Sequence, residues 1–205
     1  MSDIKPQSDT NKPGNPNVIV WTYLHAFRIT DEYEQNGETL ERTLTFAFKN
    51  GFPRIIVYPR RYNPTLGNEM YIIPMDIQMM KVLGEVIEYS TKVDFSGKYD
   101  IECYNIDYDS PDKKKTKLTG VISVTREAPF TKLIVTVDGT THEFRIRVPG
   151  KWFQVKKDGV LITDTEQVIS AYTKQYAKSL YTLADNYLLL YASKYSTNER
   201  EPFKH

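Results

Sequence analysis

The clearest chemical potential in this 205-residue chain lies in cations set among aromatic rings. Arg145 and Arg147 alternate with Phe144, Ile146 and Val148, so a strand there points both guanidiniums to one face. Lys151, Lys156 and Lys157 follow closely, with Trp152 and Phe153 between them. Lys113, Lys114, Lys115 and Lys117 form a second run in a segment that reads as a hairpin turn. In the first half, Arg54, Arg60 and Arg61 flank Tyr58 and Tyr62. Such a set suits a single-stranded nucleic acid. Cations neutralise phosphates, rings stack on unpaired bases, and neither contact selects a base. The competing expectation is that lysine runs are solvated loops and strand rings fill cores. Trp152 stays open between the two, because burying an indole is strongly favourable. Tyr172, Tyr176 and Tyr187 fall on a helical stripe and read as packing residues.

Other chemistries are poorly supplied. The three histidines, His25, His142 and His205, lie at least 63 residues apart, and no neighbouring acid or thiol completes a recurrent ligand spacing. Cys103 is the one cysteine, which excludes an internal disulfide and fits a reducing compartment. Its place in a strand makes it a small core hydrophobe. Asp107, Asp109 and Asp112 alternate loosely, but the glycine and final Glu of a calcium loop are missing. They adjoin Lys113, Lys114 and Lys115, so charge compensation explains them. Gly51, Gly67 and Gly84 are scattered and open no phosphate-cradling turn. We expect no enzyme activity, no metal and no cofactor.

Net charge is +1, but it is unevenly spread. Residues 1–97 carry 10 basic and 12 acidic side chains, whereas Lys113 to Lys157 holds 11 basic and 3 acidic. One basic face is therefore compatible with a chain near neutrality. No apolar run approaches the ~18 residues of a spanning helix, and the polar start excludes a secretory signal. The expectation is a protein with no membrane contact, located in the cytoplasm, or the host's if it is viral.

The elements that must carry these residues repeat. Residues 1–17 read as a disordered leader. Residues 18–90 read as a first unit: four strands, with a turn at Asn36-Gly37 and a second at Asn50-Gly51, then a helix. Pro74 suits that helix's first turn, and Ile77, Met80, Leu83 and Ile87 mark its buried stripe. Residues 98–196 repeat the order. Tyr99, Ile101 and Cys103 alternate in one phase and Tyr104, Ile106 and Tyr108 in the other, which predicts a bulge. Strands are expected at Leu118 to Arg126, Lys132 to Val137 and His142 to Val148. Shorter ones are expected at Trp152 to Val155 and Val160 to Ile162. A helix then runs from about Thr165 to Ser196, capped by Asp164 or Thr165. Its stripe is Val168, Tyr172, Tyr176, Leu180, Leu183, Tyr187, Leu190 and Tyr191. Residues 197–205 form a flexible tail. The class is α+β: two tandem units of about four antiparallel strands followed by a helix, the last helix long, fused as one domain. A sheet with one face against a helix leaves its other face open to a ligand. Neither helix is basic, which disfavours helix-based reading of a duplex groove.

This element order, over about residues 18–195, resembles the Whirly family and the positive-cofactor-four type coactivators, and phage single-stranded-DNA-binding proteins of related shape. The nearest basic strand segments are RIIVYPRR at 54–61 and EFRIRVPGKW at 143–152. The plant signature Lys-Gly-Lys-Ala-Ala-Leu has no counterpart, so no family residue is carried over, and a divergent viral or bacterial member fits better than a plant one. The resemblance implies single-stranded DNA binding on sheet surfaces and helix-mediated homo-oligomers. The expected function is therefore sequence-independent single-stranded DNA binding in replication, recombination or repair, with RNA an open alternative partner. The competing expectation is a structural or assembly protein forming a homo-oligomer, such as a phage virion component.

Overall fold

The computed structural model describes residues 21–35, 37–49, 52–59, 70–107, 110–112, 115–149 and 153–196; for 21–26, 35, 49, 52, 59 and 187–196 it describes the backbone only. The first sheet is an antiparallel meander of β1 (Trp21–Gln35), β2 (Glu38–Lys49), β3 (Phe52–Pro59) and β4 (Tyr71–Pro74), paired in that order. Helix α1 (Ile77–Tyr89) follows. The second sheet repeats the meander with β5 (Lys98–Ile106), β6 (Thr116–Glu127), β7 (Phe130–Val137) and β8 (Thr140–Arg145). A small hairpin of β9 (Lys156–Lys157) and β10 (Val160–Leu161) precedes helix α2 (Glu166–Ser196). The protein is thus α+β; its described residues form two four-stranded antiparallel sheets, the small hairpin and two helices, the longer helix last.

Turn chemistry sets the registers. In both Asp138-Gly139 and Asp158-Gly159 the two residues have positive φ, the conformation a two-residue hairpin needs to match strand twist. Between β5 and β6 the register shifts after Cys103: Cys103 faces Gly120, but Tyr104 faces Leu118. The extra residue is therefore Thr119 on β6, on the strand opposite the phase change that the β5 sequence displays.

One core joins the halves. Leu44, Phe46, Ile55 and Val57 of the first sheet pack in the same cluster as Cys103, Ile122, Leu133 and Phe144 of the second, with Met80, Leu83, Ile87, Ala177 and Leu180 from the helices. Two close approaches set its thickness. A Cβ on Gly120 would stand 2.5 Å from Ile73 Cδ1, so β4 lies directly on β6. A Cβ on Gly84 would stand 3.2 Å from the Ala177 carbonyl oxygen and 3.2 Å from Tyr181 Cε1, so α1 crosses α2 at that point. Lys81 pairs with Asp185, and the Tyr181 hydroxyl lies 3.5 Å from Glu88, so the helices run antiparallel.

Three expectations about elements change. Pro74 closes β4, and Asp76 begins α1 by accepting a 2.7 Å bond from the Met79 amide. Among the described side chains, the buried line of α2 runs through Ile169, Thr173, Tyr176, Ala177, Leu180 and Ala184, while Val168, Tyr172 and Leu183 stand at its flanks half-buried; the side chains of Tyr187, Leu190 and Tyr191 lie outside the description. Small residues occupy the centre because α1 approaches so closely there. No strand is assigned at 153–155; pairing begins at Lys156. Among the described residues, no helix is long and apolar enough to cross a membrane.

Candidate nucleic-acid interface

The two sheets present different outer faces. On the first, Thr43, Thr45, Ala47 and Ile56 point away from the shared core, yet each is at most 1% exposed. Arg54 and Tyr58 share that face and are half-buried. Arg54 Nη1 donates to the Pro53 carbonyl at 2.8 Å, and burial lowers its pKa from the ordinary value. Neither residue is an exposed platform for a base. The expectation of an open sheet face therefore fails for this part of the first unit.

The second sheet is open. Asp100, Glu102, Tyr104, Ile106, Leu118 and Glu143 stand exposed on its outer face. β6 pairs with β7 only from Val121 onward, whereas its pairing with β5 continues to Thr116. The stretch 103–106 with 116–120 is thus a two-stranded ribbon running past β7. One face of the ribbon carries Tyr104 (52% exposed), Ile106 and Leu118. Opposite residues of an antiparallel pair share a face, so Tyr104 and Leu118 lie side by side. Asn105 and Lys117 pair on the other face. Lys115 and Lys117 are exposed, and Lys117 lies 3.7 Å from Asp107. The Tyr104 hydroxyl donates to Glu102 at 2.5 Å, a bond that raises its pKa. That bond lays the ring along the strand.

Arg145 and Arg147 do not join this ribbon. Arg145 pairs across β7 Lys132 and β6 Thr125, eight residues along β6 from Lys117. At ~3.3 Å per residue and ~4.8 Å per strand, the two places are about 25 Å apart or more. Both arginines also have partners. The Asp31 carboxylate, 5% exposed, accepts from the Arg145 backbone amide at 2.9 Å and lies 3.5 Å from Arg145 Nη1 and 3.5 Å from Arg147 Nη2. Arg145 Nη2 lies 3.3 Å from Glu127, and Arg147 sits over the Phe130 ring with 5.3 Å to its centroid. Lys132 holds Glu127 and Glu143 at 2.7 and 2.9 Å. The continuous track of strand cations and lysine hairpin that the sequence suggests is thus absent among the described residues. These two arginines instead clamp the edge of β8 to β1.

Lys156 and Lys157 stand exposed on β9 at a third place, beside Val160 (65% exposed) and Leu161 (52%). Phe153 is exposed, its ring 6.2 Å from Tyr172. Arg60, Arg61, Tyr62, Lys113, Lys114, Lys151 and Trp152 lie outside the described residues.

A polar cluster that the sequence pattern does not reveal sits where the units meet. Arg42 of β2 places Nη1 3.0 Å from His142 Nδ1 and 3.1 Å from Nε2, donating to whichever nitrogen lacks a proton. Its guanidinium lies 4.7 Å from the Tyr33 ring centroid and 5.6 Å from that of Tyr71. A separation of 100 residues between Arg42 and His142 leaves no local signal for this contact. Among the described residues, no three His, Cys, Asp or Glu side chains gather as metal ligands would. A scan against protein-family models finds no match to this chain, and a search of curated proteins finds none either.

Proposed function

We propose that the protein binds single-stranded DNA without regard to sequence, and serves replication, recombination or repair by keeping exposed strands unpaired. The observation that carries this reading is the β5–β6 ribbon. It offers an exposed ring, Tyr104, with apolar Ile106 and Leu118 beside it, and exposed Lys115 and Lys117 at the same end. A base stacks on a ring face whatever its identity, and lysines follow the phosphates. Glu102 and Asp100 bring acids to the middle of the open face, which steers a strand towards the lysine-bearing end. The resemblance of the element order to the Whirly family and its coactivator relatives supports the same reading, under which the protein works in the cytoplasm, the host's if it is viral. RNA offers the same bases and phosphates and is the alternative partner.

Fluorescence anisotropy with a labelled oligothymidine tests this. Affinity should fall with salt at a log–log slope of about −0.7 per neutralised phosphate. Lys115→Ala with Lys117→Ala should make that slope shallower and weaken all sequences alike. No binding at low salt, or an unchanged slope in the double variant, refutes the ribbon as the contact.

A second reading has its own observation. Phe153, Val160 and Leu161 expose apolar surface around the β9–β10 hairpin, which a second copy of the chain would cover in a homo-oligomeric structural or assembly protein. Under it, Val160→Glu lowers the mass seen by light scattering, and the lysine variants leave activity intact.

A further inference from the structure

We infer that Arg42 is the centre of a binding site for a phosphate-class oxyanion at the junction of the two units, separate from the β5–β6 ribbon. Arg145 and Arg147 share the carboxylate of Asp31, but Arg42, opposite Asp31 in the β1–β2 register, does not turn to it. Its contacts are the His142 imidazole and the faces of Tyr33 and Tyr71. Rings attract a cation without neutralising it. Among the described residues Arg42 therefore has no anionic partner. Its Nε is buried and has no acceptor. A charged donor withdrawn from water and left unbonded is costly, and an incoming oxyanion relieves that cost.

The surroundings suit such a ligand. Tyr33 and Tyr71 are half-buried, as is Arg42, so the cluster meets solvent in part, while Nε itself is closed to it. His142 is 7% exposed and fixes the Nη1 end, so a ligand meets the Nε edge by displacing what covers it. A guanidinium held by an imidazole and two ring faces presents its donors in a fixed fork, the geometry that phosphate oxygens accept. Asp31 bounds the site. Its charge is offset by the two arginines it already holds.

Two sources share this chemistry: free or terminal phosphate monoester, and the phosphodiester of a nucleic-acid chain. The test uses the full chain labelled with nitrogen-15 and inorganic phosphate as the probe, so it stands whether or not the protein binds DNA. The expected result is a saturable shift of the Arg42 Nε–H resonance on adding phosphate, absent with chloride at matched ionic strength. Arg42→Gln should weaken phosphate binding at least about tenfold. Should that variant fail to fold, the wild-type resonance still decides the matter. No saturable shift at Arg42, or full phosphate affinity in a folded Arg42→Gln, overturns the site. Oligothymidine with and without a 5′-phosphate then separates the sources. Stronger competition by the phosphorylated strand assigns a terminal phosphate, and equal competition assigns the backbone.

Discussion

The two halves share one plan and differ in what lies over the outer face of the sheet. In the first sheet, Leu44, Phe46 and Ile55 face the common core while Thr43, Thr45 and Ile56 face the other way, and both sets are buried. In the second, Ile122, Val124 and Leu133 are buried, yet the outer face exposes Glu102, Tyr104 and Leu118. A doubly covered sheet works as framework. A singly covered one has a surface to spare, and the same meander can hold a ligand only there. The difference teaches that repetition of topology does not repeat a site; coverage decides which copy stays accessible.

The sharpest way to break that comparison is at matched outward positions. Ile56 is 0% exposed, so Ile56→Ala removes buried methylenes and leaves a cavity, and should cost about 3 kcal/mol in urea unfolding. A loss below about 1 kcal/mol would mean the outer face of the first sheet is loosely covered and comparable with the second.

Next in size is the junction. Asp31→Asn keeps the side-chain shape but removes the charge that meets Arg145 and Arg147. Hydrogen bonds to charged groups contribute about 1.5–3 kcal/mol, and the half-exposed arginines recover part of that from water. A loss near 2 kcal/mol is expected, with unfolding still in one step. Two separate transitions would show that the clamp, rather than the shared core, makes the sheets cooperate.

Much of this difference was out of reach of the sequence, for physical reasons. Period-two patterning reports which face of a strand is apolar and located most of the strands, as three- to four-residue spacing located both helices. It reports nothing about what covers the polar-looking face. A buried hydroxyl and an exposed one look alike in a chain of letters, so nothing in the pattern marks Thr43 and Thr45 as covered. Arg145 and Arg147 were correctly read as sharing a side opposite Phe144 and Ile146. Their partner Asp31 lies 114 residues from Arg145, so their neutralisation was invisible. Counting only large residues likewise missed Ala177 and Ala184, since close helix approach selects for small size. The lysines of the β5–β6 hairpin were legible, but the exposure of Tyr104 was not: the phase change in β5 reads as a bulge that turns the later apolar residues inward, whereas the extra residue is Thr119 on β6, and β5 alternates unbroken with Tyr104 outward.

Within β5 the comparison narrows to adjacent residues. Cys103 is 0% exposed and Tyr104 is 52% exposed. Burial, with a smaller contribution from Asp76, pushes the Cys103 thiol up to about 12. The folded protein then holds this proton through a range where the unfolded chain, with an ordinary value of 9.0, gives it up. The unfolded state binds fewer protons, so this group's contribution to stability is complete below pH ~9 and falls as pH rises towards 12. Iodoacetamide at pH 8.5 should label Cys103 only as fast as the protein opens, and quickly in urea. Rapid labelling of the native chain would place the thiol on the open side.

The smallest expected stability effect belongs to the residue with the largest proposed role. Tyr104 has half its surface in water, and its partner across the ribbon, Leu118, is 50% exposed. Little apolar area is lost on truncation, so Tyr104→Ala should change stability by less than about 0.5 kcal/mol. Stacking of one base on a ring contributes about 1–3 kcal/mol, so oligothymidine affinity should fall roughly 5- to 150-fold in the same variant. Tyr104→Phe separates the ring from its hydroxyl: it loses the bond to Glu102 but keeps the face, and should bind nearly as wild type. If Tyr104→Ala binds as wild type while the lysine variants weaken, the ribbon holds phosphates and no base. If stability falls instead, Tyr104 belongs to the packing of the sheet, and the contrast between a covered first sheet and an open second one loses its functional meaning.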